Sequence, residues 1–129
     1  MDAAQALAEL RELSSQVERA AVLGADGSVL ASTDDDALGT ERLVRAGLDL
    51  LTAAFELDAS PREVIRVDVE LGRGSLFVVR EGRRTIAATT GPHPTTGLVV
   101  YDLRTCLHRI DETPKRSRKR APKKEDTSE

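Results

Sequence analysis

The segment LVRAGLDLLTAAFEL, residues 43–57, repeats its apolar residues with the period of a helix, but over a side too wide for one neighbour. At about 100° per residue these positions span roughly 220°, against the stripe of roughly 100° that a surface helix needs. Arg42, Arg45, Asp49, Thr52 and Glu56 fill what is left. Leu43, Leu50 and Leu57 recur every seven residues, with Ala46 and Ala53 three residues after the first two. That is the seam of a helix pair, in which small residues let two helices approach closely. Val44, Leu48, Leu51 and Phe55 form a second bulky stripe about a quarter turn away, with Gly47 and Ala54 between the two. The Phe55 stripe is expected to lie on a sheet of the same chain. The leucine seam then needs its own cover, either another element of this chain or the same helix of a second copy. The second is preferred, since two-fold dimers are the commonest oligomers.

On the N-terminal side, Leu7, Leu10, Leu13 and Val17 recur at three or four residues. They predict an amphipathic helix over 3–18 with Glu9, Arg11, Glu12 and Glu18 outward. AAVLG and SVLAS flank Ala25-Asp26-Gly27, where Asp-Gly tolerates the positive φ of a tight turn, so this stretch reads as a β-hairpin. Asp34, Asp35 and Asp36 lead into the wide helix, near the positive end of its dipole, with Thr40 as the expected N-cap. Asp58 to Arg62 ends it, because Pro61 cannot continue a helix. Then the period changes to two. In VIRVDVEL, Ile65, Val67, Val69 and Leu71 alternate with Arg66, Asp68 and Glu70, a strand with one buried and one wet face. SLFVVR, after Gly72-Arg73-Gly74, is apolar on both faces and belongs inside the sheet, and TIAATT follows Glu81-Gly82-Arg83. After GPHPTTG, LVVYDLRTCLHRI carries Val99 or Val100, Leu103, Leu107 and Ile110 at helical spacing. The predicted order is helix, two strands, helix, three strands, helix.

A chain of 129 residues, 40% apolar and 32% charged, has the size and composition of one globular domain. Its charge divides it in two. Through Thr113, 12 Arg and no Lys stand against 19 Asp and Glu, a net of −7, whereas residues 114–129 hold 4 Lys and 3 Arg against 3 acids, a net of +4. The tail PKRSRKRAPKKEDTSE has Ala121 as its one apolar residue besides two prolines, too little to offset the entropy of ordering it. A folded domain over residues 1–112 and a disordered basic tail over 113–129 are therefore expected. No stretch approaches 18 uncharged apolar residues, and MDAAQALAELRE carries acids where a signal peptide carries a basic region. A cytoplasmic location is expected. Cys106 alone permits no internal disulfide. The lack of Asn beside abundant Ala, Arg, Gly and Val suggests a high-GC bacterial genome.

Catalysis needs groups placed together, and the candidates here are thin. Cys106 and His108 are two apart on a helix and do not share a face, so a buried cysteine and a surface histidine fit them better than a metal site. His93 sits in Pro-His-Pro, where restricted backbone accounts for it. Two histidines in separate elements make no Ser-His-Asp or Cys-His grouping. Asp34 to Asp36 lack the glycine and later glutamate of a calcium loop, and GPHPTTG lacks the Lys and Ser or Thr of a phosphate-binding loop. No enzymatic activity, metal or cofactor is expected. Arg73, Arg83 and Arg84 at hairpin turns are weak candidates for an arginine finger in a partner's nucleotide site. Lys115, Arg116, Arg118, Lys119, Arg120, Lys123 and Lys124 lie within 11 residues and without an aromatic residue. They suit a weak, salt-sensitive contact with an acidic surface and not the reading of bases, so no specific nucleic acid is expected.

The helix, the hairpin VLGADGSVLAS, the wide helix, the strands with RGSLFVV and TIAATT, and the final GLVVYDLRTCLHRI together resemble the roadblock / dynein light chain family. The likeness runs from about Leu7 to Ile110 and is greatest to the small bacterial members that accompany Ras-like GTPases. It implies an α+β, profilin-like fold in three α/β/α layers: a five-stranded antiparallel sheet, the first and last helices on one face, the wide helix on the other. In that family two copies pair through the middle helix and the strand after it, joining their sheets. Here the implied dimer interface is Leu43, Ala46, Leu50, Ala53, Leu57, Val67 and Val69, with Arg66, Asp68 and Glu70 as a candidate partner contact near the two-fold axis. The implied function is that of a non-catalytic homodimeric regulator or adaptor of a small Ras-like GTPase in bacterial signalling, acting on its nucleotide cycle or localisation. The alternative is a nucleic-acid- or membrane-surface-associated protein acting through the basic tail. A small-ligand sensor would need a sizeable pocket, and an aromatic content of 2% argues against one.

Overall fold

The computed structural model describes residues 1–111, so the expected 112/113 boundary and the tail cations from Lys115 to Lys124 lie outside the described residues. Helix α1 (Ala3–Leu13) begins at Asp2, whose carboxylate accepts from the Gln5 amide at 2.8 Å while Gln5 Oε1 accepts from the Asp2 amide at 2.9 Å. It stops five residues short of the expected 18, at Ser14. The buried Ser14 hydroxyl accepts from the amides of Gln16 and Val17, which turns the backbone out of the helix. Val17 still reaches the core, as the first residue of β1 (Val17–Leu23), but Leu13 is 66% exposed.

Strand β1 and β2 (Val29–Ser32) form the expected hairpin. Asp26 Oδ1 accepts from both the amide and the hydroxyl of Ser28, and Gly27 takes the positive φ of 85°. Helix α2 (Ala37–Leu57) starts earlier than expected, capped by Asp36, which accepts from the Leu38 amide at 3.2 Å. Thr40 is not the cap. Its hydroxyl lies 2.8 Å from Ser32 Oγ and 3.3 Å from the Asp34 carbonyl, tying α2 to the end of β2. After Pro61 come β3 (Val64–Leu71), β4 (Gly74–Glu81), β5 (Arg84–Thr90) and α3 (Thr96–His108), in the order predicted.

The five strands form one antiparallel sheet in the order β2-β1-β5-β4-β3. Helices α1 and α3 cover one face, where Leu7, Leu10, Val22, Phe77, Ile86 and Leu103 are buried together. Helix α2 covers the other, over Ala21, Leu23, Val78 and Ala87. This bears out the α+β, three-layer fold. The seating of α2 differs from the expectation at one residue. A Cβ on Gly47 would lie 3.0 Å from Ala87 Cβ and 3.5 Å from Val78 Cγ2, so the helix touches the sheet along the position without a side chain. Leu43, Val44 and Leu51 on either side of that line are buried, whereas Leu48 and Phe55, expected on the sheet, lie at the fringe and are half-buried. Among the described residues no helix is long and apolar enough to cross a membrane.

Candidate partner-binding surfaces

Rotating α2 onto Gly47 changes what the leucine seam presents. Leu43 drops into the chain's own core, with 7% exposure, and leaves the seam. Ala46 and Ala53 are exposed, Leu50 is half-buried at the margin of the core, and Leu57 is 90% exposed. Beside this margin lies β3, which among the described residues is hydrogen-bonded to β4 alone and closes the sheet on that side. The β3–β4 register sets Val67 opposite Val78 and Val69 opposite Leu76, on the α2 face. Val67 is half-buried and Val69 is 36% exposed, because α2 covers the sheet from β1 to β4 more fully than it covers β3. At the end of α2, Ala54 and Phe55 face Ile65 and Val67 across a groove of about 270 Å³, and the Arg80 guanidinium lies 5.7 Å from the centre of the Phe55 ring.

Arg66 and Asp68 lie on the other face of β3, opposite Val79 and Phe77, and Glu70 lies opposite Ser75. All three are exposed. Phe77 and Val79 are fully covered by the α1–α3 layer, so that layer ends over β4 and leaves the charged row of β3 open. The sequence pattern therefore placed these three side chains on one exposed row, next to a free strand edge.

A second cluster was not expected. Glu81, at the end of β4, accepts from Arg104 Nε at 2.9 Å and Nη2 at 3.3 Å, and lies 2.7 Å from His108 Nε2. Hydrogen bonds from Arg104, aided by His108, hold the Glu81 carboxyl at about 2, well below its ordinary value. Arg104 and His108 are one helical turn apart on α3, a signal visible in the sequence, but their acceptor is a strand residue more than twenty positions away. Glu81 and His108 also border a groove of about 800 Å³ with Leu30, Gly82 and Arg84, beside the point where Asp111 accepts from Arg84 Nη2.

Several of the remaining candidates are engaged within the fold. Cys106 is buried and its thiol is pushed up to about 11 by that burial, while His108 faces Glu81, so the two do not meet. Asp34 pairs with Arg19 at 3.5 Å and accepts from the Asp36 amide, and Asp36 caps α2. His93 takes a φ of 60° in the loop before α3. Among the described residues no group of His, Cys, Asp and Glu is arranged to hold a metal ion. Arg73 and Arg83 are exposed at their turns, and Arg84 is tied to the Asp111 carbonyl.

No family model and no curated protein matches the sequence. Solved structures do match its fold. A Roadblock/LC7 domain from Streptomyces avermitilis shares 22% identity with a TM-score of 0.66, over 82% of this chain and 95% of that one. The gliding protein MglB from Thermus thermophilus shares 15% identity with a TM-score of 0.57, over 81% and 82% of the two chains. Myxococcus xanthus MglB shares 12% with a TM-score of 0.58, over 82% and 85%. The chain has the roadblock/LC7 fold, as its sequence resemblance implied.

Proposed function

We propose, with the roadblock/LC7 fold as premise, that this chain is a cytoplasmic, non-catalytic homodimer that binds a small Ras-like GTPase as regulator or adaptor. One observation carries the reading: α2 and β3 share an apolar margin that the layers formed by the described residues do not cover. In a lone copy, Leu57, Ala46, Ala53 and Val69 stay wet together with the unpaired backbone edge of β3. A second copy laid against the same elements shelters both, in the isologous manner of a two-fold pair. The GTPase as partner is supported by the sequence resemblance to bacterial roadblock proteins that accompany such enzymes, and by the likeness in fold to the two MglB structures. Cys106 is buried and Glu81 is hydrogen-bonded to Arg104 and His108, so these groups serve the fold.

Light scattering of the full chain tests the assembly, and co-elution with the Ras-like GTPase encoded nearest to it, loaded with GDP or a GTP analogue, tests the partner. A particle of twice the chain mass that co-elutes with the GTPase in one nucleotide state is expected. Leu57→Glu should give a folded single copy, since a side chain 90% exposed contributes little to its own fold while a charge in a dry seam is costly. A single copy of the unaltered chain at high concentration, or no co-elution in either nucleotide state, overturns the reading.

A further inference from the structure

Resting on the dimer reading, we infer that Arg66 and Asp68 fix which residues meet when β3 pairs with its own copy. The register sets Val67 against Val67 of the second copy and Arg66 against that copy's Asp68. The argument starts from geometry. Two antiparallel strands related by a two-fold axis through the sheet place opposite residues on the same face, so the positions of each facing pair must add to an even number. Four such registers overlap at least five of the eight residues of β3, centred on Arg66, Val67, Asp68 or Val69, and the last of these sets Asp68 against Glu70 of the second copy.

Charge separates them. The register centred on Arg66 sets that guanidinium against its own copy. The register centred on Asp68 sets two carboxylates face to face at the axis, although it also pairs Arg66 with Glu70 and Leu71 with Ile65. The register centred on Val67 makes two Arg66–Asp68 pairs and brings no like charges directly opposite. On the α2 face it joins Val67 to Val67 and Ile65 to Val69, so the apolar margin is continuous across the axis. Arg66 and Asp68 are both exposed and form no ion pair with any other described residue, so they are available for this pairing. Such a pattern complements itself and repels an edge strand shifted by two residues, which makes it a device for self-selection.

Cross-linking tests the register directly. Facing residues in either type of antiparallel pair have Cα separations of about 4.5–5.5 Å, within disulfide reach. Cys106 is 3% exposed and gives no background in the folded protein. Val67→Cys should form a disulfide-linked dimer rapidly under oxidised glutathione, and Asp68→Cys should do so at least tenfold more slowly. Arg66→Asp and Asp68→Arg should each weaken self-association at least tenfold, and an equimolar mixture of the two should give mainly the mixed dimer. A dimer by light scattering that cross-links faster through position 68, or a mixture that shows no preference, overturns the register while leaving the dimer standing. A dimer that cross-links at neither position places the pairing elsewhere and overturns it too. A single copy by light scattering removes the dimer reading itself.

Discussion

Glu81 shows how one side chain joins layers that are distant in sequence. It lies on β4 but takes its partners from α3, so the ionic hydrogen bonds of Arg104 and His108 fasten the helix to the sheet. Its carboxyl ionises at about 2 in the folded chain against an ordinary 4.5. A depressed value means that the folded state favours the ionised form. The resulting stabilisation is therefore complete above about 4.5 and disappears as the pH falls towards 2. Arg104 and His108 are 41% and 57% exposed, so solvent screens the cluster. We expect Glu81→Gln to cost about 1 kcal/mol near neutrality, the net value of hydrogen bonds to a partly screened charge. In urea unfolding the gap between the two proteins should close steadily as the pH is lowered through that window. A gap independent of pH would mean that Glu81 acts through its shape and not through its charge.

At the scale of elements, the seat of α2 depends on the absence of a side chain at Gly47. Gly47→Leu forces four carbons into a space where even a Cβ lies 3.0 Å from Ala87, and overpacking of this kind costs about 1–3 kcal/mol. Thr52→Leu, on the exposed back of the same helix, should stay within about 0.5 kcal/mol of the parent protein. Equal effects in thermal unfolding would contradict the close approach. This position also marks what the sequence could and could not reveal. The period-two row of β3 and the turns at Gly27, Gly72-Arg73 and Gly82 set the strands locally, so their order and the bounds of β3, β4 and β5 to within a residue were legible, whereas β1 begins at Val17, inside the stretch read as helix. Helix bounds were less so. Thr40 and Asp36 are both acceptable caps, and only the contact of Thr40 with Ser32, eight residues away, decides between them. Likewise, apolar counting treats Leu43 and Leu50 as equals, while a glycine between stripes rotates the helix and buries only the first. The charged row of the candidate site was readable because a strand alternates by itself. The Glu81 cluster was not, because its parts meet only when α3 lies down on β4.

The whole molecule is electrostatically two-sided in sequence: an acidic body through Thr113 and a strongly basic segment after it. Among the described residues, which end at Asp111, the sheet, its three helices and both core layers are already formed. We propose that the body carries folding, self-association and GTPase binding, and that the segment from Pro114 onward makes an independent electrostatic contact. A chain ended after Thr113 separates the two. It should keep the urea midpoint, the dimer mass and the co-elution with the GTPase. The full chain, but not the shortened one, should be retained by anionic vesicles at low salt and released as salt is raised, since exposed charges are screened beyond about 10 Å at 0.1 M. Loss of GTPase co-elution on shortening would move the binding surface from the roadblock body to the basic segment, and the apolar margin would then account for self-association alone.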